Sequence, residues 1–426
     1  MIFNRKVYDE GPKIVVIGGG PGLNTVIKGL KKYTNNISAI VTMSEYGKAP
    51  TESRIKLETF PFKDIKESIV AMSDKEELMK QLMELNFNNK GLDGLNFGDI
   101  YLTAMNELYP NISEAIQKST EVLNINGKVL PVTLDEIKIC AELNVGTIVE
   151  NKDKIPEIVA QKVETIKRIF INPSNCKPAP GVIETIEEAE AIIIGPGSLY
   201  TNVLPNLLVK RVSKAIKESK AIKMYVANIM TELGQTDNYS LADHIRVIQE
   251  HVGNDVFEYC LADTGEVIPE FVRKYNKEGS EIVENNVSKA MSLGVKIIQR
   301  DMSCIIDNKI THNPDIIAAT IIELICNELK FKDKQNGIEY LMLDSILKEE
   351  KKGIKKTQKA EKKHKDIVKK ATNNVKNKNN NKKSKFSEKY KERVDSIKNT
   401  DKKIKENKEI AEEIERMEKS QKKKNK

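Results

Sequence analysis

Two glycine-rich segments are the places where this chain is best equipped to do chemistry, because each directly follows a short apolar run. The first, Gly18-Gly19-Gly20-Pro21-Gly22, comes after Lys13 to Ile17, and the second, Gly195-Pro196-Gly197-Ser198, comes after Ala191 to Ile194. Without a Cβ atom, glycine lets the backbone approach an anion closely, and the N–H groups that open a following helix favour negative charge. Both segments are therefore predicted to hold a phosphate-bearing ligand.

The first segment does not match a standard nucleotide motif. In the first, Leu23 stands where the dinucleotide fingerprint G-x-G-x-x-G needs its third glycine, and the G-K-[ST] ending of a P-loop is missing. A tight turn into a helix also explains an isolated glycine cluster. The second segment favours binding, because Ser198 and Thr201 can donate their hydroxyl groups to phosphate oxygens. Two such turns in one domain indicate a nucleoside diphosphate or two separate phosphate groups.

The residues around the first glycine segment predict the elements that position it. A β-branched run over Lys13–Ile17, an amphipathic segment over Leu23–Lys32 and a β-rich run over Ile37–Thr42 form a βαβ unit. Such a crossover makes the strands parallel and places a ligand beyond their carboxyl ends. We therefore expect Gly18 to Gly22 to share one rim of the sheet with Thr42 to Tyr46.

Farther along the chain this α/β alternation is interrupted and then resumes. Apolar periodicity predicts helices over Lys75–Leu85, Phe97–Leu108 and Ser113–Leu123, and alternating patterns predict short strands over Val129–Ile171 with a hairpin at Asn144–Gly146. Later strands and helices are predicted at Ala191–Ile194, Lys210–Glu218, Lys223–Ala227, Ser240–His251, Asp255–Leu261, Val295–Ile298 and Pro314–Leu329. The predicted fold class is α/β: a Rossmann-like, doubly wound, mostly parallel sheet with a helical and small β insert over residues 64–171.

Charge divides the chain into two parts of opposite sign. Residues 351–426 carry 29 Lys and Arg against 12 Asp and Glu, a net charge of +17, whereas residues 1–350 carry 41 against 50, a net charge of −9. We expect a nucleotide-binding domain over 13–330, a linker or terminal helix over 331–352, and a lysine-rich, mostly disordered tail over 353–426. The tail is either a solvated extension or an electrostatic arm for RNA or an anionic membrane surface.

Cysteine usage and hydropathy narrow the class of protein further. The cysteines form no C-x-x-C pair, so buried thiols are predicted rather than a disulfide framework or a zinc site. They are Cys140, Cys176, Cys260, Cys304 and Cys326. Residues 1–13 lack the apolar core of a signal peptide, and no stretch approaches the ~18 apolar residues of a membrane span. A cytoplasmic protein without a transmembrane segment is therefore expected.

Three longer segments resemble one known family. The run A-I-I-I-G-P-G-S-L-Y-T-N-V-L-P-N-L-L-V over Ala191–Val209, together with Val15–Leu30 and Tyr225–His244, closely resembles the YvcK/CofD-like family. The resemblance spans residues 13–330, and the YvcK branch is nearer than the CofD branch. It implies a Rossmann-like, nucleotide-binding domain and favours a homodimer. YvcK-type members bind UDP-sugars and are gluconeogenesis factors needed for cell shape and envelope synthesis, whereas CofD members transfer a 2-phospho-L-lactyl group to a deazaflavin.

The resemblance also indicates which residues would bind the ligand. Those in the two turns are Gly18, Gly19, Gly20, Gly22, Leu23, Gly195, Gly197, Ser198, Leu199, Tyr200 and Thr201. Asn228, at the end of a predicted strand, either reads a base or sugar through its amide or satisfies its own backbone as a turn residue. Asp243 and His244 match the family as well, and His244 is expected to pack or cap locally.

The acidic part of the family's site is rebuilt in this chain. The family's Asp-Asp-Gly-Gly-Ser-Ser-Gly is here Ser44 to Pro50, without the aspartates that accompany Mg²⁺ and phosphoryl chemistry in the transferases. Glu45 either bonds a ribose hydroxyl or is a solvated loop carboxylate. Asp64 is retained and is the candidate catalytic residue. Two further departures concern charge: Lys63 or Lys66 would replace a lost arginine, and Asp99 stands in place of an asparagine, where it would repel an anion.

These observations predict a gluconeogenesis factor that binds a nucleotide-sugar of the UDP-sugar type, without turnover. It would regulate cell morphogenesis and envelope precursor synthesis under gluconeogenic growth. The alternative is a CofD-like, 2-phospho-L-lactate transferase-type enzyme that acts on a nucleotide-activated donor. Mg²⁺ belongs to that alternative only, and no metal-binding residues are assigned. The expected partners are a nucleotide-sugar or other phosphate-bearing small molecule and, for the tail, RNA or an anionic membrane.

Overall fold

Seven parallel strands form the central sheet of the protein. The structure, a computed structural model, describes residues 8–9, 11–42, 61–88, 91–330 and 343–355. In chain order its strands are β1 Ile14–Gly18, β2 Ile37–Val41, β3 Lys128–Pro131, β4 Lys138–Leu143, β5 Ile148–Glu150, β6 Ile166–Asn172, β7 Ala191–Ile194, β8 Ile222–Val226, β9 Tyr259–Asp263, β10 Lys296–Arg300, β11 Ser303–Ile306 and β12 Lys309–His312. The central sheet has the order β10-β9-β8-β7-β1-β2-β3, and all six pairings are parallel. The predicted Rossmann-like α/β class is confirmed.

The strand order places both glycine segments at one point of the sheet. The chain moves outward from β1 to β2 and β3, and then returns to the other side of β1, where β7 begins a second outward series. The connections from β1 and β7 therefore leave in opposite directions, which is the topological switch point where α/β sheets bind ligands. Gly18 ends β1 and Gly195 follows β7, so both turns open at this point.

Helices cover both faces of the sheet, which explains why its inner strands are continuous apolar runs. In chain order they are α1 Gly20–Leu30, α2 Lys63–Met72, α3 Glu76–Met83, α4 Phe97–Leu108, α5 Ile112–Val122, α6 Lys154–Lys162, α7 Val182–Glu187, α8 Leu204–Leu208, α9 Val212–Glu218, α10 Leu241–Val252, α11 Pro269–Lys277, α12 Val287–Met291, α13 Pro314–Lys330 and α14 over 343–355. A π-helical turn, Leu199–Val203, leads into α8. Helix α1 packs against α2 and α13.

The insert differs from the prediction at its beginning. We expected the antiparallel strands to start at Val129, but β3 pairs in parallel with β2 and is the edge of the central sheet. A strand of four residues carries too little pattern to show which sheet it joins. The insert sheet is instead formed by β4, β5 and β6, which are antiparallel, and the predicted hairpin at Asn144–Gly146 joins β4 to β5. Helix α6 lies between β5 and β6 in the chain.

The predicted helices can be compared with those of the structure. The three predicted insert helices correspond to α3, α4 and α5, and the predicted helix at Leu23–Lys32 begins earlier, at Gly20, because the glycine segment itself forms its first turn. Helix α11 and the β11–β12 hairpin were not predicted. They pack around Ile229 and Met230 in a small cluster outside the main core.

The thiols follow the prediction with one correction. Four of the five cysteines are buried, but Cys304 on β11 is only half-buried, because the small cluster under this hairpin does not enclose it.

Two other expectations, the loop Ser44 to Pro50 with Glu45 and the basic tail beyond residue 355, lie outside the described residues. No described helix is long and apolar enough to cross a membrane.

Candidate functional site

The first glycine turn passes directly from strand to helix. All five residues of β1 are buried, and α1 begins two residues after its end, with Gly20 in the left-handed region (φ 71°). No side chain of α1's own N-terminal turn caps the helix. Its first N–H groups therefore need a partner from elsewhere in the chain or from a ligand.

Asp64 supplies that partner from helix α2. The Gly20 N–H donates to the Asp64 Oδ1 atom over 3.3 Å, and the Asp64 side chain is buried. A carboxylate at a helix N-terminus is stabilised in the same way as a phosphate. Asp64, the candidate catalytic residue, thus occupies the charge position that we predicted for a ligand phosphate, and an anionic ligand must share or replace this contact.

The second glycine turn is held from the neighbouring strand. The Gly197 N–H donates to the Asn228 Oδ1 atom over 3.2 Å, so Asn228, just beyond β8, fixes the turn that follows β7. Neither sequence interpretation of Asn228 included this contact. Ser198 lies beside Glu232, whose pKa is raised by burial, while a hydrogen bond with Ser198 acts in the opposite direction. The second turn therefore combines a hydroxyl group and a carboxyl group.

The two turns touch each other, which gives the glycines a second reason to be glycine. A methyl group added at Gly22 would lie 2.6 Å from the Pro196 carbonyl oxygen, and one added at Gly18 would lie 3.7 Å from the Gly195 Cα atom. Asn206 on α8 connects the first turn to the segment that follows the second, because its amide donates to the Gly18 carbonyl over 3.0 Å and to the Asn202 carbonyl over 2.7 Å. The turns form one continuous floor at the switch point.

Some residues of the predicted ligand set support this floor from below. Leu23, Leu199 and Tyr200 are fully buried in the apolar core, and Thr201 is buried as well. The Tyr200 hydroxyl is 2.8 Å from that of Tyr239, and burial raises the pKa of Tyr200, which keeps the phenol protonated. These side chains face the core, so a ligand at the floor would meet their backbone.

The charged residues of α2 and α4 are arranged differently from the sequence interpretation. Lys66 was a proposed replacement for an anion-binding arginine, and Asp99 was expected to repel an anion. Instead, the Lys66 Nζ atom donates to Asp99 over 2.6 Å and to Asn96 over 2.9 Å. Asp99 is buried, and its negative charge is neutralised by the positive charge of Lys66. The two departures from the family at these positions therefore compensate each other. Lys63 is half-exposed, with its Nζ atom 3.9 Å from Glu67.

Several residues near the first turn were not identified from the sequence. Glu67 is one helical turn from Asp64, burial raises the pKa of its carboxyl group, and Asn24 of α1 donates to it over 3.3 Å. Lys152, from the segment between β5 and α6, is only 4% exposed, and its Nζ atom is 3.5 Å from the Asn202 Oδ1 atom. Asn202 and Asn206 carried a signal in their helical spacing after the second turn, whereas nothing near Lys152 in the chain linked it to the site.

The other two positions that match the family, Asp243 and His244, lie in the first turn of α10. Ser240 and Asp243 form a capping box at the start of α10, and the buried His244 has its Nδ1 atom 3.0 Å from the Ser240 carbonyl oxygen, a local contact of the kind expected for His244. Among the residues that the structure describes, no three His, Cys, Asp or Glu side chains are grouped to hold a metal ion.

A family model, three relatives and a crystal structure all match most of this chain. The family model described as "2-phospho-L-lactate transferase CofD" matches residues 14–303. A Clostridium acetobutylicum relative is 41% identical over 352 residues, which is 83% of this chain and 78% of the relative. The "Gluconeogenesis factor" of Listeria innocua is 38% identical over 76% of this chain and 98% of its own length, and that of Bacillus subtilis is 34% identical over 74% and 99%. A crystal structure of a Bacillus halodurans protein superposes with a TM-score of 0.67 at 36% identity, covering 72% of this chain and 99% of that one.

Proposed function

This chain belongs to the CofD family, and we propose that, like the gluconeogenesis factors it resembles, it binds a nucleotide-sugar and regulates cell morphogenesis and envelope precursor synthesis. The proposal places the protein in the cytoplasm and makes it a binding protein rather than an enzyme. A UDP-sugar is the expected ligand class. The tail beyond residue 355 and a homodimer would serve its contacts with other macromolecules.

The observation that carries the proposal is the single floor formed by the two glycine turns at the switch point. The turn after β7 is held by Asn228 and presents Ser198, and the turn after β1 presents the N-terminus of α1. A ligand that shares or replaces the Asp64 and Asn228 contacts would place one phosphate group at each of the two touching turns, as a nucleoside diphosphate requires. Glu232, next to Ser198, offers a carboxyl group for sugar or ribose hydroxyls.

The proposal predicts that UDP-sugars stabilise the full-length protein. A ligand at 100 times its Kd adds about 2.7 kcal/mol to the free energy of unfolding, which is readily seen as a rise in Tm. We would screen UDP-glucose, UDP-galactose and their N-acetylamino forms against GDP- and ADP-sugars by thermal shift. Absence of any rise in Tm across this panel would remove the proposed ligand class.

Asn228→Ala connects this binding to the described floor. The substitution leaves the Gly197 N–H without its acceptor, and we expect a Kd about tenfold higher, equivalent to about 1.4 kcal/mol. Asn144→Ala is the matched control, because Asn144 is an exposed asparagine on the β4–β5 turn, hydrogen-bonded to Thr165. Equal loss of affinity in both variants would mean that ligand binding does not depend on the contact between Asn228 and the second turn.

A transferase remains the second candidate because Asp64 is placed at the first turn and the matching family model takes its description from a transferase. Transfer would release the nucleotide from an activated donor when the protein is mixed with donor, acceptor and Mg²⁺. Asp64→Asn keeps the hydrogen bond with Gly20 and removes the charge, so it should abolish release. Multiple turnovers that depend on Asp64 would favour this function over a pure binding role.

A cellular assay tests the regulatory part of the proposal. Expression of this chain in a Bacillus subtilis strain that lacks its own gluconeogenesis factor should restore growth and cell shape on a gluconeogenic carbon source. The Asn228→Ala variant should restore them less well if ligand binding controls regulation. Full rescue by a variant that has lost binding in vitro would show that the two properties are independent.

A further inference from the structure

Lys152 is a buried lysine at the edge of the candidate site, supplied by the insert. It lies between β5 and α6, its side chain is 4% exposed, and its Nζ atom is 3.5 Å from the Asn202 Oδ1 atom. A buried ammonium group is costly unless opposite charge or several hydrogen bonds compensate it. Its burial places an ammonium group at the edge of the candidate site.

The charges around Lys152 connect it to the first glycine turn. Burial lowers the pKa of the Lys152 ammonium group, whereas the Asp64 carboxylate acts in the opposite direction and helps to keep it charged. Asp153 and Glu67 act in the same sense as Asp64, and Lys63 opposes them. Asp64 also accepts the Gly20 N–H, so the same carboxylate faces both the lysine and the start of α1.

Asn202 fixes how close Lys152 is to the floor of the site. A methyl group added at Gly20 would lie 3.0 Å from the Asn202 amide nitrogen, and one added at Gly19 would lie 3.6 Å from the Asn202 side chain. Asn202 thus fills the space between the first turn and Lys152. An anion bound at this turn would be separated from the ammonium group by no more than this one amide.

We propose that Lys152 supplies the positive charge that receives the phosphate group of the ligand, so that this protein binds its ligand without a divalent cation. This inference rests on the proposed function and adds a charge mechanism to it. An ammonium group beside Asp64 takes the place in which a hard cation would bridge a carboxylate and a phosphate. The lysine would also repel a divalent cation placed there. A phosphate that enters the site would meet an ammonium group that is already out of water.

The test measures ligand binding by calorimetry with the full-length chain, in EDTA and in Mg²⁺. The probes are the best UDP-sugar of the thermal-shift panel and inorganic pyrophosphate, which carries the phosphate groups alone. We expect the wild-type Kd to agree within about twofold between the two buffers. Lys152→Met should raise the Kd at least tenfold, while Lys152→Arg should stay within about threefold of the wild type, because it keeps the charge. Lys154→Met, on an exposed lysine two residues away, is the matched control.

The outcomes separate this inference from the proposed function. Wild-type affinity in Lys152→Met, or wild-type binding that requires Mg²⁺, would overturn the role of Lys152 while leaving nucleotide-sugar binding intact. Pyrophosphate binding that depends on Lys152 without any UDP-sugar binding would support the inference and remove the proposed ligand. If neither probe binds, both the role of Lys152 and the proposed nucleotide-sugar binding are wrong. If Lys152→Met does not fold, the comparison of EDTA with Mg²⁺ in the wild type and in Lys152→Arg still decides.

Discussion

Gly29→Ala should lower the free energy of unfolding by about 3 kcal/mol, although it adds a single methyl group to a helix. Gly29 lies near the end of α1, where this helix packs on α13. The added methyl carbon would lie 2.0 Å from the Pro314 carbonyl oxygen and 2.7 Å from the Ala318 Cβ atom. Because the first of these is backbone at the start of α13, it cannot rotate away. The two helices would have to move apart, which opens the core beside β1.

Urea denaturation of the full-length protein measures this effect. Gly353→Ala is the control, since nothing lies within 4 Å of a methyl group added there and alanine favours the helix over 343–355. That variant should be as stable as the wild type or slightly more stable. If Gly29→Ala unfolded at the wild-type urea concentration, the close packing of α1 on α13 would be wrong.

Acidification should remove about 3 kcal/mol of stability through His312 alone. His312 ends β12, its ring is buried, and burial lowers its pKa from 6.5 to about 4, while a hydrogen bond with the Ala227 backbone acts in the opposite direction. Its Nε2 atom has no hydrogen-bond partner among the described residues, so a proton there would be buried without an acceptor. Each pKa unit corresponds to about 1.4 kcal/mol.

The direction of this pH dependence follows from proton uptake. Above pH 6.5 the imidazole is neutral in both states, and the histidine does not change stability with pH. As the pH falls from 6.5 towards 4, the unfolded chain binds a proton that the folded protein excludes, so stability decreases until the folded pKa is reached. His244 and His251 add to the same trend, because burial lowers the pKa of each.

His312→Asn isolates the contribution of this one residue. Asparagine can keep a hydrogen bond to Ala227 and does not titrate, so the free energy of unfolding should fall less steeply between pH 6.5 and pH 4 than in the wild type. Chemical denaturation at several pH values in this range gives both slopes. Identical slopes would mean that folding does not lower the pKa of His312.

The parts of the fold that were predicted correctly are those in which local pattern and global position agree. The apolar run that became β1, the glycine turn and helix α1 are consecutive in the chain, and each indicates the same βαβ unit. Strand β3 was assigned to the wrong sheet because its partner β2 is far away in the chain and four residues do not identify a partner. Register and neighbour choice depend on contacts that a local pattern does not contain.

Both glycine turns were predicted at the ends of strands, where the structure has them, but the charge pairs beside them were missed. Glycine turns are visible in the sequence because their function depends on an absent side chain. The pairing of Lys66 with Asp99 was not visible, because each residue was judged separately against an anion and not against the other. Lys152 was missed for a similar reason, since it reaches Asn202 only through the folding of the insert. The role of a long charged side chain depends on which residues surround it in the folded protein.

The position of the switch point between β1 and β7 has a consequence for the synthesis of the protein. Ile14 pairs with Ala191, and the second turn needs Asn228 from the next strand, so the residues of the floor leave the ribosome at very different times. Until β7 and β8 emerge, one edge of the central strand stays open, and such non-local pairing is slow to form. Under the proposed function, a nascent chain would therefore be unable to bind the ligand in stages. The ligand would act only on the completed sheet, where cellular ligand levels would influence how much of the finished protein survives proteolysis.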